Sequence, residues 1–248
     1  MVKFGLVGYP LKHSFSRRFF TEKFENEKIG AVYLNFEIPE ITQFPQIIES
    51  NPELKGLNVT IPYKELIIPY LDDLSEDAKK IGAINVIRVE RSGQEVRLIG
   101  YNSDVIGFQN SISPLIDISI HRKALILGTG GAAKAVNKGL QNLGIETKAV
   151  SRSKKNESFT YFELDEEIMK EYTVIVNCTP LGTFPDIDTA PEIPYQFLTA
   201  KHLLYDLVYN PEETKFLRLG KERNATIKNG AEMLKLQALA AWEIWNKE

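Results

Sequence analysis

The chain has 248 residues, 43% hydrophobic and 25% charged, with a formal net charge of −3 at pH 7. That length holds one large domain or two small ones around a sizeable core. Scattered basic residues exclude the footprint of a nucleic-acid binder. A single cysteine, Cys178, excludes an internal disulfide, and no Cys/His cluster has metal-ligand spacing.

The elements are predicted in chain order as follows. Val2 to Val7 reads as a short buried strand ending at Gly8, then a loop with Pro10, His13, Ser14 and Ser16. Arg17 to Glu27 has helical character, Ala31 to Ile38 is rich in β-formers, Ile41 to Ser50 suggests a helix, and Gly56 to Ile61 a third strand. Asp72 to Ile81 reads as helix, followed by strands at Asn85 to Arg91 and Glu95 to Ile99 around the Ser92-Gly93 turn. Asp104 to Ile116 has apolar residues at helical spacing. From Lys123 the pattern is strand (Lys123 to Leu127), helix (Ala132 to Leu143), strand (Glu146 to Val150), helix (near Asp165 to Lys170) and strand (Thr173 to Asn177). Leu203 to Asp206 is a further strand, and Ala231 to Trp245 a last helix whose Trp242 and Trp245 belong to a core stripe.

This alternation predicts an α/β fold in two domains. A mainly parallel α/β substrate domain takes residues 1–103, and 231–248 return to it as a C-terminal helix. A Rossmann-type dinucleotide-binding domain takes 104–230. No leader pattern and no apolar run of membrane-spanning length are visible, which predicts a cytoplasmic protein with no membrane partner.

Three segments carry the chemistry. Gly56-Leu57-Asn58-Val59-Thr60-Ile61-Pro62-Tyr63-Lys64 sets a lysine among small hydrogen-bonding side chains before a turn imposed by Pro62. Gly100-Tyr101-Asn102-Ser103-Asp104 offers a carboxylate, which is also suited to cap the following helix. Gly128-Thr129-Gly130-Gly131-Ala132-Ala133, between a predicted strand and a predicted helix, matches the G-x-G-x-x-G/A pyrophosphate turn. No acid follows Val150 to hold a ribose 2′-hydroxyl. Arg152 instead offers a charge-assisted fork to a 2′-phosphate, with Ser151 and Ser153 as neutral partners and Lys154 or Lys155 adding charge. The cofactor is therefore expected to be NADP rather than NAD. The turn Asn177-Cys178-Thr179 is placed to line the nicotinamide, and Cys178 reads as a small packing residue rather than a nucleophile. His13 reads as a polar loop residue, and His121 and His202 as structural or exposed.

With these pieces in place the chain resembles shikimate dehydrogenase over nearly its whole length. Gly8-Tyr9-Pro10-Leu11-Lys12-His13-Ser14-Phe15-Ser16 resembles the family's opening loop, Asn58 to Lys64 its lysine segment, and Gly82-Ala83-Ile84-Asn85 and Gly100 to Asp104 two further site segments. Asp206-Leu207-Val208-Tyr209-Asn210-Pro211 with Thr214, and Asn229-Gly230-Ala231-Glu232-Met233-Leu234 with Gln237, look like its late loops. The resemblance implies Lys64 and Asp104 as the catalytic pair. It implies Ser14, Ser16, Asn58, Thr60, Asn85, Tyr209 and Gln237 around shikimate, and Thr179, Leu207 and Gly230 beside NADP. No metal is implied, and the oligomeric state is monomer or homodimer. The sequence departs from the family at Arg17 (usually proline), Val86 (usually threonine) and Ser151-Arg152-Ser153 (usually Asn-Arg-Thr). The second arginine of that motif is missing, with Lys155 or Asn156 nearby. The implied activity is NADP-dependent reduction of 3-dehydroshikimate to shikimate. A dual quinate/shikimate enzyme and a catalytically silent NADP-binding regulator are the alternatives.

Overall fold

The computed structural model describes residues 1–11, 14–154 and 157–247. The expectations for His13, Lys155 and Asn156 lie outside the described residues. The chain divides into two compact units, Met1–Ser103 with Ala238–Glu248, and Asp104–Gln237.

The first unit is built on a six-stranded sheet in the order β2-β1-β3-β5-β6-β4. Its strands are β1 (Val2–Gly8), β2 (Ala31–Glu37), β3 (Leu54–Val59), β4 (Asp73–Leu74), β5 (Val86–Ser92) and β6 (Glu95–Tyr101). β1 pairs in parallel with β2 and β3, while β5 runs antiparallel to β3 and β6. Alternation along the strands divides the side chains between two faces. Val7, Leu57, Val59, Ile87 and Val89 enter one core, and Phe4, Leu6, Tyr33 and Val86 enter the other. Helices α2 (Phe44–Glu49), α3 (Tyr63–Leu66) and α4 (Glu76–Ile81) supply Phe44, Ile47, Ile48, Tyr63 and Ala78 to the first core. Helix α1 (Phe15–Asn26) covers the second with Phe20 and Phe24.

Residues 238–245, the end of α9 (Ala231–Trp245), complete that second core. Trp245 stacks on Phe4 at 4.9 Å between ring centroids, and its indole N–H donates to the Ile87 carbonyl at 3.1 Å. The tryptophan stripe is thus core. The sequence expectation returned residues 231–248 to this unit, but the division falls between Gln237 and Ala238. Residues 231–237 pack against α5 (Asp104–Ile112), where Gly107 lets the backbones approach. A Cβ at Gly107 would lie 2.7 Å from the Met233 carbonyl oxygen.

The segment expected to be helical from Asp72 is instead a short strand and then α4. Ser75 caps α4, accepting from the Ala78 N–H at 3.3 Å, and Asp73–Leu74 are drawn into pairing with β6.

The second unit is a fully parallel sheet in the order β12-β11-β10-β7-β8-β9. The strands are β7 (Lys123–Leu127), β8 (Glu146–Ser151), β9 (Phe159–Thr160), β10 (Val174–Asn177), β11 (Leu203–Asp206) and β12 (Thr226–Lys228). α5 and α6 (Gly131–Asn142) cover one face, and α7 (Glu166–Glu171) and α8 (Lys215–Lys221) the other. The strand order reverses between β7 and β10, and ligands of such sheets bind at the carboxyl ends beside that switch point. α8 and β12 have no counterpart in the sequence reading. α8, with seven residues, is too short for a helical period to register, and β12, with three, too brief for an alternation.

Candidate active site

In the first unit, polar side chains gather at the carboxyl end of the parallel strands. Ser14 caps α1, its Oγ accepting from the Arg17 N–H at 3.0 Å. Ser16, in the first turn of α1, is hydrogen-bonded to the Tyr33 hydroxyl. That hydroxyl donates to Asn58 Oδ1 at 2.7 Å. Burial raises the Tyr33 pKa well above its ordinary value, against the pull of Ser16, so the group stays a neutral donor. Asn58 Nδ2 donates to the Asn85 carbonyl at 3.3 Å. Asn85 in turn donates from Nδ2 to Ser103 Oγ at 3.0 Å and accepts the Ser103 N–H at 2.7 Å. A hydrogen-bonded chain therefore runs from α1 through β2 and β3 to the residue preceding Asp104.

Thr60 ends β3, its N–H bonded to the Val7 carbonyl at 2.9 Å. Lys64 follows on α3. Its carbonyl accepts the Ile84 N–H at 2.7 Å, which ties the lysine's backbone to the loop that carries Asn85. Asn58 and Asn85 are buried, while Ser14, Ser16, Thr60 and Lys64 are partly exposed. The unit thus joins Ser16, Asn58 and Asn85 through side chains, and places Ser14, Thr60 and Lys64 in the segments at the same end of the sheet. Tyr33, which connects two of them, escaped the sequence reading because a tyrosine in a strand of β-formers carries no distinguishing signal.

Asp104 and Gln237 belong to the second unit and are both buried. Asp104 is the first residue within α5 rather than its cap, where a carboxylate is favoured by the helix dipole. Gln237 Nε2 donates to the Leu234 carbonyl at 2.8 Å. Tyr209 is 44% exposed, so it is not the core residue its chemistry alone would allow.

The nucleotide edge of the second unit follows from β7. Gly128 adopts φ +113°, a conformation that favours glycine, and its N–H donates to the Val150 carbonyl at 2.9 Å. Gly130 caps α6, and a Cβ built there meets nothing within 4 Å. The space above the N-terminus of α6, with its free N–H groups and positive dipole end, is open to a pyrophosphate. Thr129, Gly131 and Ala132 complete the turn, and no acid stands in the helix's first turn. At the end of β8, Arg152 and Ser153 are exposed. Ser151 is buried, with its hydroxyl donating to the Ser153 carbonyl at 2.5 Å, so this side chain holds the turn. Lys154 pairs with Glu163, which spends the charge expected to assist Arg152. Among the described residues at this strand end, the exposed Arg152 guanidinium is not ion-paired with an acid, and it fits a 2′-phosphate.

A buried carboxylate braces the neighbouring loops. Asp206 accepts from Asn177 Nδ2 at 2.9 Å, the Val208 N–H at 3.0 Å and Thr214 Oγ1 at 2.6 Å. Asn177 Oδ1 accepts from the Thr179 N–H at 3.0 Å and its hydroxyl at 2.7 Å. Burial pushes the Asp206 carboxyl up to about 6 against the pull of its three donors. Leu207 is held beside Gly230, whose N–H donates to the Val208 carbonyl at 3.2 Å. The sequence signal for this brace was slight, a lone acid closing an apolar strand. Burial, with a smaller push from Asp206, drives the Cys178 pKa far up, which keeps it an inert thiol. His121 and His202 are buried and bonded to backbone, His202 Nε2 to the Met169 carbonyl at 2.8 Å. Among the described residues, no cluster of His, Cys, Asp or Glu is gathered to hold a metal ion. No helix among them is long and apolar enough to cross a membrane.

A parallel sheet with a glycine turn at its switch point, together with a unit carrying a lysine among neutral polar groups, defines a dinucleotide-dependent oxidoreductase of the two-domain Rossmann type. Residues 6–87 match the shikimate dehydrogenase substrate binding domain. A shikimate dehydrogenase (NADP(+)) of Clostridium beijerinckii is 38% identical over 255 residues, covering 98% of this chain and 92% of the relative. The crystal structure of a chorismate mutase/shikimate 5-dehydrogenase fusion protein from Clostridium acetobutylicum superimposes with a TM-score of 0.87 at 34% identity, covering 99% of this chain and 91% of the other. A Thermus thermophilus shikimate 5-dehydrogenase in complex with NADP(H) and shikimate gives a TM-score of 0.85 at 28% identity, covering 100% of this chain and 94% of the other. The chain belongs to the shikimate dehydrogenase family.

Proposed function

We propose that Lys64 and Asp104 carry the proton chemistry of a reversible, NADP-dependent reduction of 3-dehydroshikimate to shikimate. The observation that most supports this is the gathering of Ser16, Asn58, Thr60, Lys64 and Asn85 at one end of the first sheet. They offer neutral donors and acceptors suited to a small ring bearing hydroxyls and a carboxylate, with one cation among them. NADPH, when bound, supplies the hydride. The Lys64 ammonium hydrogen-bonds the ketone oxygen and donates a proton to it as negative charge develops there. Asp104 takes the role of its acid–base partner toward the substrate hydroxyl. Groups placed in this way contribute about 10²–10⁴-fold. Ser14 and Ser16 take the substrate carboxylate, and Tyr209 and Gln237 take ring hydroxyls.

On the cofactor side, the Gly128–Ala132 turn takes the pyrophosphate, with Arg152 and Ser153 on the 2′-phosphate. Thr179, Leu207 and Gly230 line the nicotinamide half. The domains proposed for these roles are the substrate-binding and NADP-binding units, in a cytoplasmic monomer or homodimer acting on small molecules. The test is a panel: loss of NADPH absorbance with 3-dehydroshikimate, and its reverse with shikimate or quinate, each with NADP and NAD. Turnover with shikimate and NADP well above every other pairing is expected. Cofactor binding without turnover would leave only a regulator.

A further inference from the structure

The rim of the second sheet beyond β8 is unusual. Parallel neighbours are ordinarily joined by a crossover of a dozen or more residues, most often a helix. β8 and β9 are parallel, with Val150 opposite Phe159 and Ser151 opposite Thr160, yet only residues 152–158 join them. The register sets Arg152 and Tyr161 side by side, each the first residue past its strand. Burial raises the Tyr161 hydroxyl, the Arg152 guanidinium pulls it down, and Cys178 and Glu192 push it up. The polar end of the ring therefore lies within electrostatic reach of both the β8 turn and the β10 turn.

The turn that follows is clasped in place. Glu163 pairs with Lys154 and accepts from the Thr160 N–H at 2.7 Å and the Thr160 hydroxyl at 2.9 Å, and Lys154 and Thr160 lower its carboxyl to about 2. The Glu163 carboxylate stays charged throughout the neutral range. At its centre, Phe162 is 97% exposed, the most exposed large apolar side chain among the described residues.

We propose that Tyr161 and Phe162 form the adenine wall of the NADP site, Tyr161 as its floor and Phe162 stacking on the base. This rests on the reading that Arg152 takes the 2′-phosphate. The base and that phosphate are borne on adjacent ribose carbons, so a guanidinium on the phosphate puts the base at its neighbour in the sheet. β8 has two such neighbours; the glycine turn after β7 is given to the pyrophosphate, which leaves Tyr161 after β9 for the base. Among the described residues of this rim, Arg152 serves the phosphate, Lys154 is paired with Glu163, and Tyr161 and Phe162 offer aromatic surface to the base. A purine face matches it, because every base presents a π-face to a ring.

The test is calorimetric titration of the full chain with 2′,5′-ADP, which carries the adenine and the 2′-phosphate without nicotinamide. Phe162→Ala should weaken binding about tenfold, the scale of one lost base–aromatic stack, and Phe162→Trp should restore it. Tyr161→Leu should weaken it as well. Because Phe162 touches solvent, Phe162→Ala should leave the melting temperature and the KM for shikimate unmoved. Unchanged 2′,5′-ADP affinity in Phe162→Ala overturns the aromatic wall while leaving the NADP reading intact. Failure of the unsubstituted chain to bind 2′,5′-ADP overturns both.

Discussion

Tyr33→Phe isolates one hydroxyl. The ring remains, stacked on Phe20 at 4.9 Å between centroids, so packing in the second core of the first unit is preserved. The hydroxyl lost is the donor to Asn58 Oδ1 and the partner of Ser16. Ser16 is partly exposed and regains a partner from water, whereas Asn58 is only 4% exposed and its oxygen is left buried without that donor. An unsatisfied buried acceptor costs about 1–3 kcal/mol. For a chain of this length that lowers the melting temperature by roughly 2–4 °C per kcal/mol. On the proposed substrate site, the Asn58 amide, no longer held from one side, also loses its fixed presentation to the substrate. The expected kinetic result is a rise of about tenfold in KM for shikimate, the equivalent of ~1.4 kcal/mol, with KM for NADP unchanged. Thermal melting and steady-state kinetics with each substrate varied in turn provide the readout. A variant as stable as the parent with the same KM for shikimate would refute the reasoning. Equal rises in both KM values would show that the hydroxyl serves the fold rather than the substrate.

Further outcomes follow from the second unit. Gly130→Ala adds a Cβ into space that no protein atom occupies; stability should fall by no more than about 1 kcal/mol, while NADPH titration shows affinity reduced at least about tenfold. Unchanged affinity would mean that no phosphate approaches this turn. Arg152→Ala should raise KM for NADPH by about 10–100-fold, the loss of a charged hydrogen bond, with a much smaller change for shikimate; parallel rises would remove Arg152 from the 2′-phosphate. Asp206 titrates near 6 in the folded chain against an ordinary value of 3.8, because burial disfavours its charge. The folded state then holds a proton that the unfolded chain has released, so this group's contribution to stability falls as pH rises through that window. It amounts to about 3 kcal/mol between pH 4 and 7. The stability difference between parent and Asp206→Asn, from denaturant melts, should shrink by that order across the window, and a flat difference would contradict the assignment.

How much of this was legible in the sequence depends on the length scale of each signal. The Lys123–Leu127 strand, the glycine turn and the helix after it announce themselves because an apolar run, a turn residue and a helical period occur together. The last helix was visible from its tryptophan stripe, and the structure shows why: Trp245 reaches Phe4 and the Ile87 carbonyl. β9, with two residues, and α3, with four, are shorter than any period that identifies a strand or helix. Tyr33 and Asp206 matter through partners distant in sequence, Asn58 for one, Asn177 and Thr214 for the other. Local pattern does not encode such pairings. Ser151 and Lys154 were assigned to the phosphate by position, and tertiary hydrogen bonding within the turn and to Glu163 claimed both.

The most direct measurement is kcat of Lys64→Ala with 3-dehydroshikimate and NADPH, taken alongside the variant's melting temperature and its affinity for NADPH. The account predicts a fall of about 10²–10⁴-fold in kcat, with folding and cofactor affinity unchanged. A variant that turns over within a few-fold of the parent would contradict it.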